Sequence, residues 1–273
     1  MKEEKRILSI GAHPDDADTY TGGLLAKLHE KGWRVRLLSV TDGSAGTYHA
    51  DVTREELKLQ RRSEAAASGR LLDARYDVMD YPDGQLQVTL EARERLIRYI
   101  RTFRPDIIIT NRPNDYHADH RNVSSLLQDA SFLLTVPKIC PDTPYLDDTP
   151  GILYWADDFK KPYPHQPDII VPISSEKVDF KVKLASCHEC QYFDWMYWPH
   201  HTERIDWPRE KQIAHLSERY HAESHKEAEN LHDKLVELYG ESADTVKHVE
   251  TYEISEYSGP IDEEFLNIAK TIE

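Results

Sequence analysis

The sequence predicts an α/β fold: a Rossmann-like, doubly wound and mostly parallel sheet with helices on both faces and a C-terminal lobe. Two observations predict it. Short apolar runs, typical of strands buried on both faces, alternate with helical patterns over the first 135 residues. This alternation is typical of parallel βαβ units, whose right-handed crossovers produce a doubly wound sheet. We expect one domain over residues 1–273, with a Rossmann-like core at 1–135 and a lobe at 136–273 that shapes a cleft.

The individual elements follow from local patterns. Apolar runs bounded by turn residues predict strands at 6–11, 35–41, 75–81, 106–110, 152–156 and 168–172. Helical periodicity predicts helices at 19–31, 53–72, 90–103, 120–134, 174–191 and 209–239. Alternating residues at 247–257 predict an exposed strand, and the aromatic-rich stretch 192–208 predicts irregular structure.

Composition narrows the class of partner. The formal net charge is −15, from 34 basic and 49 acidic residues. A surface this acidic repels phosphate backbones and anionic lipids, which excludes nucleic acid and a membrane surface as the main partner. No apolar stretch reaches the roughly 18 residues of a membrane span, and the charged N-terminus lacks a secretory signal, so we expect a cytoplasmic protein. The three cysteines, an odd number, fit a reducing compartment.

Two short motifs carry metal-binding side chains at the ends of predicted strands. AHPDD, which contains His13 and Asp16, directly follows the first strand. NDYHADH, which contains His117 and His120, begins a few residues after the strand at 106–110. Sites in open α/β sheets form outside the carboxyl ends of the strands, near a switch in strand order. We therefore expect the two motifs to face each other.

These side chains suit a catalytic zinc site. Such a site has three protein ligands and one open position, and His13, Asp16 and His120 would supply the three. Asp15 and His117 would remain close to the metal and free to move protons. Zinc lowers the pKa of its water toward about 7, and Asp15 would take the proton of that water as general base. A protonated His117 would stabilise the oxyanion or protonate the leaving amine.

With these motifs in place, the sequence resembles the superfamily of N-acetylglucosaminyl-phosphatidylinositol de-N-acetylases, also called PIG-L or LmbE-like proteins. AHPDD after the first strand and HADH at 117–120 carry the resemblance, which extends over about residues 5–195. Position 190 is cysteine where the family usually has serine. Further stretches that match family motifs are Gly22-Gly23, 41–43, 61–65, 81–84 and 188–191.

The resemblance implies a Rossmann-like enzyme that hydrolyses the acetamide of an N-acetylglucosamine-type sugar or glycoside to the free amine and acetate. It implies zinc at the three ligands named above, with the same roles for Asp15 and His117. It also implies that an arginine of the pair Arg61 and Arg62, together with Asp83, contacts the sugar. A homo-oligomer is compatible with the family, and the identity of the sugar stays open.

Several other residues are conspicuous in the sequence. Asp119 is expected to orient one of the metal-binding histidines. The pair Cys187 and Cys190 has metal-binding spacing, but no second pair accompanies it, so packing is favoured. Helix 209–239 is expected to be a solvated face or a subunit contact, with exposed histidines at 215, 221, 225 and 232. A further cluster would form a sugar-stacking wall or, as we favour for most members, packing for the lobe: Trp195, Tyr197, Trp198, His200, His201 and Trp207.

Other functions stay open as alternatives: a zinc amidase acting on another N-acylated small amine, and a non-hydrolytic metal-binding Rossmann-like protein. A phosphoesterase is disfavoured, because the sequence has no carboxylate-bridged second metal set and no basic cluster beyond Arg61 and Arg62. A nucleotide-binding module would need G-x-G-x-x-G after the first strand, and the acidic residues of AHPDD would repel a pyrophosphate.

Overall fold

The computed structural model describes residues 4–198 and 202–273, which form a seven-stranded sheet with helices on both faces. The strands are Arg6–Gly11 (β1), Arg34–Thr41 (β2), Arg75–Tyr81 (β3), Ile107–Thr110 (β4), Gly151–Trp155 (β5), Ile169–Ile173 (β6) and His248–Ile254 (β7). The helices are Asp16–Thr19 (α1), Gly22–Glu30 (α2), Arg54–Leu71 (α3), Leu90–Phe103 (α4), Ala118–Ser131 (α5), Ser175–Cys187 (α6), Glu189–Tyr192 (α7), Arg209–Asn230 (α8), His232–Tyr239 (α9) and Glu263–Ala269 (α10).

The sheet has a switch in strand order between β1 and β4. The strands lie in the order β3-β2-β1-β4-β5-β7-β6, and β1 pairs in parallel with both β2 and β4. The chain therefore builds β2 and β3 outward on one side of β1 and returns to build β4 and β5 on the other. The α/β fold predicted from the sequence is confirmed. Folds of this kind bind ligands in the crevice at such a switch.

The core has two layers, one on each face of the sheet. Alternate residues of β1 and β4 enter opposite layers, as the pleat of a strand requires. Ile7 and Ile109 pack against Leu24 of α2, whereas Leu8 packs with Leu96 of α4 in the other layer. All of these side chains are at most 2% exposed. Each such burial stabilises the fold by about 1.5–3 kcal/mol relative to an exposed side chain.

Side-chain caps define several helix starts. Thr53 and Glu56 form a reciprocal capping box at the start of α3. Ser174, predicted as an N-cap, accepts a hydrogen bond from the backbone N–H of Lys177 and starts α6. The helix predicted at 120–134 begins earlier, at α5, because the side chain of His117 acts as its N-cap.

The prediction of an exposed strand at 247–257 is wrong. β7 lies antiparallel between β5 and β6, and six of its seven residues are buried. Its carboxylates have partners inside the protein. Glu250 accepts backbone N–H bonds of 2.9 and 2.8 Å at the start of α2, and Glu253 pairs with Arg112 at 3.0 Å. Polar residues in this strand are therefore internal contacts, which a pattern of alternation cannot distinguish from a solvated face.

The helix predicted at 19–31 is α2, which begins later, and a separate short helix, α1, precedes it and ends at Thr19. Thr21 gives α2 no side-chain cap, and Glu250 of β7 takes that place. The break matters for the site, because the short α1 lies directly after β1 at the switch in strand order. Asp15 and Asp16 are therefore fixed at the carboxyl edge of the sheet.

A buried arginine organises the loop that follows α5. Arg101 of α4 is 2% exposed, and its guanidinium donates hydrogen bonds of 2.6–3.1 Å to six backbone carbonyls. The six acceptors belong to Leu133, Leu134, Val136, Ile139, Cys140 and Thr143. Backbone N–H groups also donate to four of these carbonyls, whereas Ile139 and Thr143 have no other donor among the described residues, and the arginine satisfies them.

The last third of the chain covers one end of the sheet. The helix predicted at 209–239 is divided into α8 and α9 at Leu231. The segment 192–208 forms short 3₁₀ turns at Trp195–Tyr197 and Thr202–Arg204, and His200 and His201 of the predicted aromatic cluster lie outside the described residues. Within the described ranges, no helix combines the length and apolar character needed to cross a bilayer.

Candidate metal centre and active site

The turn after β1 fixes the first half of the site. Oδ2 of Asp16 accepts hydrogen bonds of 2.9 Å from the backbone N–H groups of Ala12 and His13. Gly11 makes this turn possible, because a Cβ at that position would lie 2.4 Å from Cβ of Asp16. The carboxylate of Asp16 is only 6% exposed and points back toward the His13 ring. The sequence His-Pro-Asp-Asp therefore folds locally so that the side chains of His13 and Asp16, the two predicted ligands, lie side by side.

The start of α5 fixes the second half. Nδ1 of His117 accepts a 3.1 Å hydrogen bond from the backbone N–H of Asp119. A neutral His117 must then carry its proton on Nε2, which leaves an N–H donor free to act on a ligand. His120 follows within the first turn and is buried. The rings of His117 and His13 meet edge to face with centroids 4.5 Å apart, so the two motifs do face each other.

Three donor atoms from the two motifs converge. Nδ1 of His13 lies 3.1 Å from Nε2 of His120. Oδ2 of Asp16 lies 3.7 Å from the first nitrogen and 3.5 Å from the second. Ligand atoms in a tetrahedral zinc site with bonds near 2.0–2.2 Å are separated by about 3.4 Å. The donor set of two imidazole nitrogens and one carboxylate oxygen thus has both the chemistry and the spacing of a zinc site.

Other combinations of side chains also lie close enough to share an ion. His13, His117 and His120 bring ligand atoms within 4.8 Å of one another. A second set joins Asp83 and Asp119 to His13 and His117. All of these sets include His13, but only the set with Asp16 leaves His117 free, with Nδ1 already used by the backbone.

Carboxylates stand behind both ligand histidines. Oδ2 of Asp115 lies 3.0 Å from Nδ1 of His120. Oδ1 of Asp83 lies 3.1 Å from Nε2 of His13, and Oδ2 of Asp119 lies 3.5 Å from the same nitrogen. Such carboxylates fix the tautomer and orientation of metal-binding imidazoles. Asp119 therefore lies near the histidine that it was expected to orient, but Asp83 is closer.

Sequence reasoning missed Asp115. It begins the turn before α5, where its Oδ1 also accepts a 2.8 Å hydrogen bond from the backbone N–H of His117. Its place within NDYHADH, five residues before His120, was the available indication. The sugar contact predicted for Asp83 stays a prediction. Asp83 is 7% exposed and already binds Ala45 N–H at 3.0 Å in addition to its contact with His13.

The charges of the site favour a cation. Burial would lower the pKa of His13, but Asp119, Asp16 and Asp83 raise it well above its ordinary value. The pKa of Asp83 falls to about 2 against its burial, chiefly through His13. His117 differs, because burial and then the positive charge of neighbouring histidines lower its pKa. This shift favours a neutral His117 near pH 7 in the metal-free protein, and the role predicted for His117 stays a prediction.

An arginine holds the carboxylate predicted to be the base. Nη2 of Arg61 donates a 2.9 Å hydrogen bond to Oδ1 of Asp15. Arg61 is 2% exposed, and its Nε and Nη1 are buried without a hydrogen-bond partner. Arg62 lies elsewhere, close enough to help Arg95 lower the pKa of Asp80. Of the two arginines predicted to contact substrate, Arg61 thus lies at the site, where it binds Asp15.

Known proteins of one family resemble the chain in sequence. The PIG-L family model, described as GlcNAc-PI de-N-acetylase, matches residues 8–131. Diacetylchitobiose deacetylase of Thermococcus kodakarensis is 30% identical over 211 residues, which cover 75% of this chain and 78% of that protein. The chain belongs to the PIG-L family. The resemblance predicted from AHPDD and HADH is confirmed.

Two solved structures share the fold of this PIG-L protein. The N,N′-diacetylchitobiose deacetylase of Pyrococcus horikoshii, complexed with its inhibitor MPG, aligns with a TM-score of 0.70, 24% identity, and coverage of 94% of this chain and 85% of that chain. GalB, the 4-carboxy-2-hydroxymuconate hydratase of Pseudomonas putida KT2440, aligns with a TM-score of 0.73, 19% identity, and coverage of 95% and 98%. At these identities the likeness shows the fold alone, and the two names indicate that the fold carries more than one reaction.

The segment at 188–191 that matched a PIG-L motif lies behind α1 rather than at the metal. His188 is fully buried, and its Nε2 lies 2.7 Å from Oδ2 of Asp18, which also accepts a hydrogen bond from Ser68. Sγ of Cys190 lies 3.0 Å from Oε2 of Glu64. Burial raises the pKa of the Cys190 thiol to about 12, so the thiol stays protonated. These contacts join α1 to α3 and α7.

Partly exposed aromatic side chains lie on the segments that follow β1 and β2 and on the segment that precedes α5. Tyr116 is 67% exposed, and its ring centroid lies 5.3 Å from that of His120. On another side, Tyr48 stacks on Trp195 with centroids 4.2 Å apart. Tyr20, directly after α1, is 40% exposed and stacks on Trp155. Part of the aromatic cluster predicted at 192–208 therefore packs against the loop after β2.

Proposed function

We propose that this PIG-L protein is a zinc-dependent de-N-acetylase that hydrolyses the acetamide of an N-acetylglucosamine-type sugar or glycoside to free amine and acetate. Three donor atoms, from His13, Asp16 and His120, would hold the metal. Asp15 is the proposed general base and His117 the proposed oxyanion donor. The single observation that carries the proposal is the convergence of those three donor atoms at 3.1–3.7 Å. Asp15 directly precedes the proposed ligand Asp16 in the chain.

The donor set fits zinc in three respects. It consists of two imidazoles and one carboxylate, the ligand types that zinc accepts in catalytic sites. Carboxylates of Asp115 and Asp83 stand behind the two imidazoles at 3.0 and 3.1 Å. Without a metal, burial would lower the pKa of both imidazoles, but nearby carboxylates raise it. A divalent cation would replace the protons that the imidazoles then hold. When bound, zinc would supply Lewis acidity that activates water and polarises the amide carbonyl.

Asp15 and His117 have separate roles in the proposed proton transfers. Oδ1 of Asp15 is occupied by Arg61, so Oδ2 is the oxygen that accepts the proton of the attacking water. Nε2–H of His117 donates to the oxygen of the amide as negative charge develops on it. The proton held by Asp15 then passes to the leaving nitrogen. Water and amide are thereby converted to acetate and the protonated amine, which takes up both protons of the water, with no net change in the protonation of the protein.

Family membership supports the substrate class. The relative from Thermococcus kodakarensis is by name a diacetylchitobiose deacetylase. We also propose that residues 1–273 act as one domain, because β5, β6 and β7 of the second half extend the sheet that carries the metal site. The second half also supplies Trp155 and Trp195, whose stacking partners Tyr20 and Tyr48 lie on the segments that follow β1 and β2.

The deciding experiment combines metal analysis with product analysis. Purified protein should contain about one zinc per chain and release acetate from N-acetylglucosamine or N,N′-diacetylchitobiose. Asp15→Asn should retain zinc and lose at least about 100-fold in turnover. Asp233→Asn, an exposed position on α9, is the matched control and should behave as the wild type.

Two outcomes would contradict the proposal. Protein that contains no zinc, and takes up none, would remove the metal centre. Zinc-loaded protein that releases no acetate but hydrates a carboxylated muconate would place the chain with the hydratase chemistry named for GalB rather than with deacetylases. Full activity of Asp15→Asn would reject Asp15 as the base and leave the rest of the assignment standing.

A further inference from the structure

A cavity of about 320 Å³ lies against the end of α1, the short helix that begins with Asp16. Thr19 and Tyr20 at the end of α1 form one wall, and Trp155 and Ala156 at the carboxyl end of β5 form a second. α8 forms a third wall, and we call this space the Tyr20 cavity. Its volume falls at the lower end of the range for small-molecule pockets.

The Tyr20 cavity shares an edge of the sheet with the metal ligands. β5 lies two strands from β1, which is about 10 Å at the usual strand spacing. Tyr20 connects the two spaces. Its backbone N–H bonds to the carbonyl of Asp16 at 3.2 Å. Burial, and then the charges of Asp16 and other nearby groups, raises the pKa of its phenol, so the ring stands close to the proposed metal-binding carboxylate.

The aromatic wall suits a ring with an apolar face. Tyr20 and Trp155 stack with an interplanar angle of 3° and centroids 5.2 Å apart. Trp155 is 2% exposed, whereas Tyr20 is 40% exposed. One face of the Tyr20 ring is therefore covered by Trp155, and the other is available to a ligand. A flat aromatic face of this kind can stack on the C–H face of a pyranose.

The wall formed by α8 offers hydrogen-bond groups that are weakly engaged. The two terminal nitrogens of Arg219 lie 4.0 and 3.9 Å from the sulfur of Met196, a weak hydrogen-bond acceptor. Nε of Arg219 is buried without a hydrogen-bond partner and lies 3.7 Å from Glu223. Glu227 lines the same wall. Lys181 and Glu250, which pair at 2.6 Å, also line the cavity, so its charged groups among the described residues are two cations and three carboxylates. Such a lining suits hydroxyl groups, and its excess of carboxylates disfavours an anionic ligand such as phosphate.

We propose that the Tyr20 cavity is a subsite for a neutral polyhydroxylated ring, the second ring of a two-ring N-acetylglucosamine glycoside whose acetamido ring lies at the metal site. This inference rests on the function proposed above. It assigns substrate selection to α8, for which the sequence indicated only a solvated face or a subunit contact. It also places Tyr20 between the two sugar rings of the substrate.

Kinetics on two substrates test the subsite. For each protein the quantity is the ratio of kcat/KM for N,N′-diacetylchitobiose to kcat/KM for N-acetylglucosamine. Ala156→Phe fills the cavity, and Arg219→Met removes its donors. Each should lower the ratio by about tenfold, the effect of one lost hydrogen bond to a charged group. Lys226→Met, an exposed position on α8, is the matched control and should keep the wild-type ratio.

Direct binding separates this proposal from the proposed function. Cellobiose has no acetamide, so saturation-transfer NMR can follow its binding without any reaction. Binding that disappears in Ala156→Phe and persists in Lys226→Met supports the subsite even if no substrate is deacetylated. Unchanged ratios in both cavity variants, or equal losses on both substrates, overturn the subsite while leaving deacetylation itself intact.

Discussion

Arg61 donates a 2.9 Å hydrogen bond to the carboxylate of Asp15, and the arginine is almost entirely buried. The pair joins α3 to the turn after β1. A buried guanidinium on one oxygen leaves the other oxygen of Asp15 with a fixed direction. Arg61 is therefore a positioning residue for the proposed base, whatever further contact its unpartnered Nε and Nη1 make with substrate.

Arg61→Gln should lower kcat by about 100-fold, because a base displaced by about 1 Å from its productive position loses rate on this scale. KM for N-acetylglucosamine should change much less if Arg61 acts through Asp15, and more if it also binds the sugar. Steady-state kinetics with a zinc measurement on the same sample would separate these effects. Arg62→Gln, the neighbouring residue that faces away from the site, is the control and should retain activity.

Zinc affinity should depend on Asp115 as well as on the ligands. His120→Ala should abolish zinc binding, because the site loses one of its three proposed protein ligands. Asp115→Asn should weaken it by about 10–100-fold, the usual effect of losing a carboxylate behind a metal-binding histidine. Competition with a chromophoric chelator measures both. Asp129→Asn, on the exposed side of α5, should bind zinc normally, and normal binding by Asp115→Asn would remove Asp115 from the metal centre.

The sheet and the two halves of the site were predictable, because the information is local. Runs such as DIIIT and RILSIG mark buried strands by themselves, and the motifs that follow them fall at the carboxyl edge of any parallel sheet. The nearness of His13 to His120 then follows from the switch in strand order. The contacts of Asp83 and Arg61 did not follow, since they depend on how the loop after β3 and helix α3 approach the turn.

β7 shows why the remainder could not be predicted. Its sequence alternates polar and apolar residues, which also describes a strand with one solvated face. Glu250 is nevertheless 6% exposed, because it caps a helix that precedes it by more than 220 residues and pairs with Lys181 at 2.6 Å. Contacts with residues this distant in sequence cannot be recognised from a local pattern of polar and apolar residues.

Arg101→Met should destabilise the fold by at least about 3 kcal/mol. The methionine can fill the volume, but it leaves the carbonyls of Ile139 and Thr143 without a donor among the described residues and removes the guanidinium bonds to four further carbonyls. Urea unfolding measures the difference. Arg98→Met on the same helix is the control: its pairs with Glu94 and Asp142 are exposed, so the loss should stay below about 1 kcal/mol. Equal losses in the two variants would reject the role assigned to Arg101.

Histidines 221 and 225 of α8, expected from the sequence to be exposed, meet His248 of β7. The ring centroids of His221 and His225 lie 5.1 and 5.9 Å from that of His248. His248 is 7% exposed, and its nitrogens lie near two serine hydroxyls, at 2.9 and 3.3 Å. Burial, and then the two neighbouring imidazoles, lower the pKa of His248, while Asp179 of α6 acts in the opposite direction.

The lowered pKa of His248 makes the fold sensitive to acid. The unfolded chain takes up this proton near pH 6.5 and the folded protein only at lower pH, so stability falls as pH drops below about 6.5 and is unaffected above it. His248→Gln cannot take up the proton. Relative to this variant, the wild type should lose at most about 1 kcal/mol of unfolding free energy between pH 7.5 and 5.5. Urea unfolding at the two pH values checks this, with His29→Gln on the exposed side of α2 as control; parallel losses in wild type and His248→Gln would assign the acid sensitivity to other groups.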